Sequence, residues 1–286
     1  MKKYTLPRLA LAALLAALGI LGALLQLMPR VLPAAAPKGW RLPILMYHSV
    51  LDSEAKAGKY IITPAELEDD LAFLRSEGYT AITVGELIAM QAGELPVPAR
   101  PVMLTFDDGC YNNLSYVQPL LEKYDMKAVL SVVGRYADEA SMPGAIFNNN
   151  YSYLNWEQLR ALQAGGRIEV QSHSYNLHGG DARMGLRRPA GEAEGTYRQI
   201  VTADLRMMQK RMEAELGQPA LCFTYPFGFI TNEGEQIVRE LGFPASLSCY
   251  ERVSTITAEP GCLRELGRYN RAHGRNARQI FAKFAD

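Results

Sequence analysis

Short apolar runs alternate with helical segments along most of this chain, and this alternation restricts the folds open to it. Strands joined through helices lie parallel in one sheet, and so many units favour a closed or nearly closed α/β barrel. The apolar spacing predicts strands at 44–47, 80–84, 102–106, 128–133, 168–172, 220–225 and 245–248, with helices at 64–77, 85–92, 116–124, 155–164, 200–216 and 233–241.

The amino terminus carries a different signal. Lys2, Lys3 and Arg8 precede an almost uninterrupted apolar stretch over residues 9–28. Its length lies between that of a secretory signal and that of a full membrane span. We predict that residues 1–28 form a signal peptide or an N-terminal membrane anchor.

A segment rich in proline and alanine follows, and we interpret residues 29–42 as a linker. The cleavage candidate at 34–36 lies beyond the apolar run, which favours a retained anchor over a cleaved peptide. Either alternative predicts that the folded part is extracytoplasmic, membrane-anchored or secreted. Residues 179–195 show no apolar periodicity and are predicted to form a loop.

Charge and cysteine usage narrow the function classes. Thirty basic and thirty acidic side chains leave a formal charge of zero, which gives no indication of a nucleic-acid partner. The four cysteines show no CxxC spacing, so buried free thiols are the simplest interpretation. Cys249 and Cys262 are the only pair close enough in sequence to suggest a disulfide.

Two adjacent carboxylates end the strand predicted at 102–106. Asp107 and Asp108 are followed by Gly109, which can turn the chain. A buried carboxylate needs a counter-charge, so either a cation neutralises the pair or both side chains face solvent. In isolation, a solvated turn would be the simpler interpretation.

Two histidines follow the strand predicted at 168–172. His173 and His178 are five residues apart, a spacing that does not suit one helix face but allows a loop to bring both rings to one ion. The chain has four histidines in all, so two in this loop are notable. A pair of satisfied surface histidines is the alternative.

One aspartate and two histidines would form a three-ligand metal site with an open position. Zinc with a catalytic water suits such a site, and the second aspartate would be left to accept a proton. If Asp108 binds the ion, Asp107 remains as the base. Two histidines and a carboxylate also suit non-haem iron, so an iron oxygenase is a rival, although the spare aspartate fits hydrolysis better.

Residues 105–109 and 173–178 together resemble the polysaccharide deacetylase family, the NodB-homology group of carbohydrate esterases. That family has a TFDDG element and an H-[ST]-x-x-x-H element at strand ends, and both match here without a substitution. The resemblance extends over residues 43–286. It implies a distorted (β/α) barrel of the NodB-homology type.

The resemblance also implies roles for individual residues. Asp107 would be the catalytic base, and the ligands of a divalent metal, usually Zn²⁺, would be Asp108, His173 and His178. Residues 225–228 resemble a third family motif, in which the backbone amide after the proline binds the oxyanion. That position is Phe227 here.

The chain departs from the family pattern in two places. Many members have an arginine two residues before the proline of the third motif, where this chain has Thr224. Arg268 is a candidate substitute as partner of the base, but its segment favours an arginine on the surface. The late Leu-x-His motif that supplies the general acid in many members is also missing.

The opening segment at 43–48 instead resembles a permuted subgroup that includes poly-N-acetylglucosamine deacetylases. His48 would then protonate the leaving amine. His273 is a weaker candidate, which we interpret as exposed.

These expectations describe a metal-dependent hydrolase that removes N-acetyl groups from N-acetylhexosamine residues of an extracytoplasmic polysaccharide. Its partners would be an N-acetylated glycan and, through the N-terminal segment, the membrane. Peptidoglycan, poly-N-acetylglucosamine and chitin fragments all carry the acetamide, and the sequence does not choose among them. Nor does it indicate an oligomeric state. The alternative is a catalytically inactive, surface-tethered carbohydrate-binding domain on the same fold.

Overall fold

The computed structural model describes residues 39–179 and 183–284. The predicted signal peptide or anchor at 1–28 and the predicted linker as far as residue 38 lie outside these described residues. Within the described ranges, none of the helices is both long enough and apolar enough to cross a membrane.

The described chain alternates strands and helices as the apolar spacing predicts. The strands are β1 Trp40–Leu42, β2 Ile44–Tyr47, β3 Ser49–Val50, β4 Ile61–Ile62, β5 Thr80–Ala81, β6 Pro101–Asp108, β7 Ala128–Val132, β8 Ile168–Ser172, β9 Cys222–Thr224, β10 Ala245–Leu247, β11 Ser254–Ile256 and β12 Tyr269–Asn270. The helices are α1 Pro64–Ser76, α2 Val84–Gln91, α3 Gln118–Tyr124, α4 Gly134–Ala140, α5 Trp156–Ala164, α6 Glu194–Leu216, α7 Asn232–Glu240 and α8 Ala277–Phe281. Single 3₁₀ turns form at Glu54–Lys56, Pro226–Gly228, Pro260–Leu263 and Ala282–Phe284.

The main sheet is parallel and has the strand order β10-β9-β8-β7-β6-β2-β12, with β5 also paired to β6. The strands β1 and β11 pair antiparallel in a separate ribbon, and β3 and β4 form a short parallel pair. Helices cover the main sheet, so the architecture is an α/β distorted barrel. The predicted fold class is confirmed.

One segment near the carboxyl terminus links the two edges of the main sheet. Leu266 forms an isolated parallel bridge with Leu247 of β10, at one edge. A few residues later, Tyr269 and Asn270 pair with β2, at the other edge. The segment from Leu266 to Asn270, hereafter the closing segment, therefore spans the opening of the barrel.

The central strand β6 shows how the sequence directs its side chains. Leu104 and Phe106 belong to the larger apolar core, whereas Met103 belongs to a second, smaller core. Because side chains alternate along a strand, Thr105 and Asp107 share the face of Met103. Both polar residues are fully buried, so this face needs polar partners.

Helix starts follow local capping chemistry. Thr63 and Asn155 accept hydrogen bonds from the amides of Glu66 and Gln158 in capping boxes, which confirms two starts indicated by the sequence. Thr83 caps α2 in the same way. This cap explains why the strand predicted at 80–84 ends at Ala81.

Several boundaries differ from those predicted. Residues 40–42 of the predicted linker form β1, because they pair with β11. The helix predicted at 200–216 already begins at Glu194, which shortens the loop predicted at 179–195. The helix predicted at 116–124 is a π-helical turn over Asn113–Val117 followed by α3.

All four cysteines are free thiols in the structure. The disulfide suggested between Cys249 and Cys262 is therefore wrong. The interpretation of buried free thiols is confirmed for Cys222, whereas the other three thiols are free but only partly buried.

Candidate active site

The predicted site residues meet at the carboxyl edge of the main sheet. His48 follows β2, the aspartate pair ends β6, His173 follows β8, and Phe227 follows β9. In parallel sheets this edge collects the loops that carry chemistry. Four segments that are distant in sequence therefore contribute to one site.

Asp108 and the two loop histidines form a compact trio. The Asp108 Oδ1 atom lies 3.5 Å from His173 Nε2 and 3.3 Å from His178 Nε2. One ligand atom from each of the three side chains lies within 4.8 Å of the others, close enough to share a metal ion. Asp108 reaches this position with a φ of 74°, in the left-handed region that is costly for a residue other than glycine.

The tautomer of His173 is set by its other ring nitrogen. His173 Nδ1 lies 2.8 Å from the carbonyl oxygen of Thr224, so Nδ1 carries the proton and Nε2 presents a lone pair to the trio. Burial lowers the pKa of His173 to about 3 and also lowers the pKa of His178. Both rings are therefore neutral at ordinary pH, as a metal ligand must be.

The environment of Asp108 indicates whether a cation fits between the three side chains. Its Oδ1 atom is buried and has no hydrogen-bond partner among the residues described. Burial raises the pKa of Asp108 to about 6, and the negative charge of Asp107 adds to that shift. Two neutral imidazoles and a carboxylate in need of a positive charge fit a divalent metal ion.

Asp107 is held by Arg268, and this relationship corrects the sequence-based interpretation. Arg268 Nη1 donates to Asp107 Oδ1 at 2.8 Å, and Nη2 donates to Oδ2 at 2.9 Å. The prediction of a surface arginine is wrong, since Arg268 is 0% exposed. Burial alone would raise the pKa of Asp107, but the charge and hydrogen bonds of Arg268, together with the neighbouring histidines, outweigh burial and hold that pKa well below its usual range.

Other hydrogen bonds fix the orientation of the guanidinium. Arg268 Nε donates to the carbonyl oxygen of Ser248 at 2.8 Å, and Nη1 also donates to Thr105 Oγ1 at 3.1 Å. Thr105 in turn donates to the Leu45 carbonyl at 2.9 Å. The arginine belongs to the closing segment, so closure of the barrel delivers it to Asp107.

Thr224 has a different task from the arginine that many family members carry at its position. Its hydroxyl lies 2.7 Å from Ser131 Oγ, and its carbonyl accepts from His173. It therefore helps to orient a predicted metal ligand, whereas Arg268 is the residue that pairs with Asp107.

His48 lies beside Asp107, immediately after β2. Its Nε2 atom is 3.9 Å from Asp107 Oδ2, and its ring lies 4.7 Å from the ring of Tyr60, centroid to centroid. Asn113 Nδ2 donates to the backbone carbonyl of His48 at 3.1 Å. Burial lowers the pKa of His48, although the nearby carboxylates oppose that shift.

Phe227 covers the outer side of the trio. Its ring stacks on His178 with centroids 4.4 Å apart and an angle of 20° between the planes. The residue has a φ of 58°, and the next residue, Gly228, has a φ of 71°. A side chain on Gly228 would meet Cys249, with a Cβ to Cβ distance of 2.8 Å, so the turn packs closely on the strand end beyond it.

His273 lies apart from these residues. Its side chain is 41% exposed and pairs with Glu66, with Nδ1 to Oε2 at 3.0 Å. The prediction of an exposed histidine is confirmed. Sequence reasoning missed Tyr60 and Asn113, because neither lies in a motif and both reach His48 only through the fold.

Comparison with known families settles the classification. The sequence model of the family described as "Polysaccharide deacetylase" matches residues 94–246. The chain belongs to the polysaccharide deacetylase family. The matched region contains the aspartate pair and both loop histidines, whereas His48 and Arg268 lie outside it, so it is narrower than the resemblance expected over 43–286.

Individual relatives agree with this membership. The poly-β-1,6-N-acetyl-D-glucosamine N-deacetylase of Escherichia coli (strain K12) is 23% identical in an alignment of 218 positions that covers 70% of this chain and 32% of the relative. The chain thus spans about a third of the length of that curated relative.

Solved structures share the fold of this polysaccharide deacetylase family member. A de-N-acetylase from Aggregatibacter actinomycetemcomitans superposes with a TM-score of 0.73 at 21% identity, covering 85% of this chain and 99% of the other. IcaB from Ammonifex degensii gives a TM-score of 0.68 at 25% identity, covering 85% and 96%.

Proposed function

We propose that this protein is a metal-dependent polysaccharide N-deacetylase that hydrolyses the acetamide of N-acetylhexosamine residues. One observation carries the proposal: a buried aspartate, locked by an arginine, lies next to a carboxylate and two neutral histidines arranged to share one cation. The arrangement separates a spare carboxylate from the ligand set, as hydrolysis requires and oxygen chemistry does not.

Asp107 is the proposed base. Arg268 keeps it ionised and uses one lone pair on each carboxylate oxygen, which leaves the remaining lone pairs to accept a proton from the attacking water. The two parallel hydrogen bonds also fix the plane of the carboxylate, so its acceptor positions are set before substrate arrives.

The trio of Asp108, His173 and His178 is the proposed metal site, and Zn²⁺ is the proposed ion. When bound, the ion supplies a Lewis acid that polarises the amide carbonyl and acidifies a coordinated water. Asp108 supplies the negative charge of the site, and the Thr224 carbonyl keeps His173 in the tautomer that can bind.

His48 is the proposed proton donor to the leaving nitrogen. Its Nε2 atom faces the same space as the base, 3.9 Å from Asp107 Oδ2, so one substrate carbon could lie within reach of both. The backbone amide of Phe227 is the proposed hydrogen-bond donor to the developing oxyanion, at the rim formed by the stacked ring.

The substrate is proposed to be an extracytoplasmic glycan. The E. coli relative is named for poly-β-1,6-N-acetyl-D-glucosamine, which favours β-1,6-linked N-acetylglucosamine over peptidoglycan for this chain. An apolar N-terminal segment that acts as a signal or anchor would place the site outside the cytoplasm, where such polymers are found.

Acetate release by the full-length protein tests the function. β-1,6-linked and β-1,4-linked N-acetylglucosamine oligomers and peptidoglycan would be compared, each with chelator and after Zn²⁺ is restored, with Asp107→Asn as the inactive control. Release that chelator stops and zinc restores supports the proposal, and the preferred oligomer identifies the linkage. Glycan binding without release by the zinc-loaded protein would contradict it in favour of a carbohydrate-binding protein.

A further inference from the structure

The loop between the two histidines of the trio is held by a residue from a distant helix. Asp204 lies within α6, and its carboxylate accepts two consecutive backbone amides of this loop. Tyr175 N donates to Oδ1 at 2.8 Å, and Asn176 N donates to Oδ2 at 2.7 Å. Both amides lie between His173 and His178.

The other side of the loop is held by the start of α4. The amides of Gly134 and Arg135 donate to the carbonyls of Ser174 and Tyr175 at 3.1 and 2.8 Å. A Cβ added to Gly134 would lie 2.7 Å from the Tyr175 ring, so the contact leaves no room for a side chain. The loop is therefore held between two helices.

Further hydrogen bonds restrain the backbone of the loop between His173 and His178. Ser174 has a φ of 72°, and its hydroxyl accepts from the amide of Leu177 at 3.1 Å. Tyr136 Oη donates to the carbonyl of His178 at 2.9 Å. Among the described hydrogen-bond acceptors of the backbone amides at 174–177, the carboxylate of Asp204 is the only charged group. Hydrogen bonds to a charged acceptor are stronger than those to a neutral one.

The position of Asp204 on its helix suits this task. α6 is 23 residues long and packs into the core through Val201, Leu205 and Met208, so it is a rigid support. Asp204 precedes Leu205, at the flank of that buried face. Aspartate is a poor residue for a helix interior, so its presence there needs a compensating interaction.

We propose that Asp204 is a positioning residue for the metal site, because it fixes the backbone between His173 and His178 and so sets the separation of the two imidazoles. This inference rests on the proposed metal-binding role of those histidines. Residues that orient metal ligands through hydrogen bonds alter metal affinity by roughly 10- to 100-fold when they are replaced.

Zinc affinity of the full-length protein, measured by competition with a chelator, tests the inference. Asp204→Asn keeps the size of the side chain but turns an NH₂ group toward one of the two amides, so zinc affinity should fall roughly 10- to 100-fold. Asp204→Glu keeps both acceptor oxygens and should retain more of the affinity. Glu213→Gln alters an exposed carboxylate on the same helix and should leave affinity at the wild-type value.

Hydrogen exchange gives a second readout that needs no metal. In the metal-free wild type, the amides of Tyr175 and Asn176 should be protected from exchange. Asp204→Asn should speed the exchange of these two amides selectively. The amide of His173, which donates to the Val132 carbonyl, should stay protected and serves as the internal control. Unprotected amides in the wild type would overturn the proposal even if Asp204→Asn did not fold.

The outcomes separate this inference from the function it rests on. Wild-type protein that does not bind zinc contradicts the metal site itself. Wild-type protein that binds zinc, together with an Asp204→Asn variant of equal affinity, contradicts only the role of Asp204.

Discussion

Arg268 donates two parallel hydrogen bonds to Asp107 across a separation of 161 positions in the sequence. Both partners are buried, so neither charge can be removed without leaving the other uncompensated. The pair therefore links the stability of the barrel to the orientation of the proposed base.

Replacement of Arg268 should reduce both activity and stability. Arg268→Met should lower kcat roughly 100-fold through misplacement of Asp107, and should cost roughly 3–5 kcal/mol in the free energy of unfolding. Acetate release and urea denaturation measure the two effects. Arg268→Lys should not restore activity, since lysine cannot make two parallel bonds. Arg75→Met, which breaks an exposed pair with Asp125, is the control, and near-wild-type turnover in Arg268→Lys would contradict the assignment.

Substitutions of Asp107 and of His173 should have different effects on catalysis and on metal binding. Asp107→Asn should lower turnover by roughly 100- to 10,000-fold while zinc affinity stays close to that of the wild type, because the base is outside the ligand set. His173→Ala should lose both zinc and turnover. Zinc content and acetate release are measured on the same preparations, and full activity in Asp107→Asn would refute the assignment of the base.

His48 should contribute to turnover without holding metal. His48→Asn should lower kcat by roughly 100-fold or more, with zinc affinity unchanged, because the leaving nitrogen loses its proton donor. His273→Asn is the matched control, since that histidine is exposed and pairs with Glu66 away from the site. Equal kcat values for the two variants would exclude His48 as the acid.

Asp108 should make the metal-free protein less stable at neutral pH. Its pKa is raised to about 6 by burial, so the folded state binds more protons than the unfolded state between about pH 4 and pH 6. The free energy of unfolding contributed by this group therefore falls as pH rises through that window and is constant above it. Asp108→Asn should remove the penalty and stabilise the metal-free protein at pH 7 by roughly 3 kcal/mol.

Urea denaturation with chelator at pH 5 and pH 7.5 measures this effect. The wild type should lose more stability than Asp108→Asn between the two pH values, and zinc should then stabilise the wild type alone. Parallel changes in the two proteins would show that Asp108 does not titrate in this range.

The fold was largely predictable because its long strands and helices leave periodic apolar patterns. The strands β1, β11 and β12 have two or three residues each, too few for a period, and they exist only because a partner strand lies beside them. The short helix α4 was missed for the same reason.

The site was predictable where its residues lie in motifs and unpredictable where they do not. The aspartate pair and the two loop histidines are local patterns, and the structure brings them together as expected. Arg268 lies in no motif, and the only sign of it was Thr224 in the place of an arginine. Asp204 acts on backbone atoms, which leave no trace in the sequence of the loop they belong to.

The closing segment has a consequence for the order in which the site is assembled. During synthesis the aspartates and the histidines leave the ribosome before Arg268, which lies close to the carboxyl terminus. A chain that stopped before residue 264 would carry every proposed metal ligand, yet its base would lack a counter-charge and the barrel would lack its last link. Loss of the residues from 264 onward would therefore leave all the proposed metal ligands in the chain but remove the partner of the proposed base.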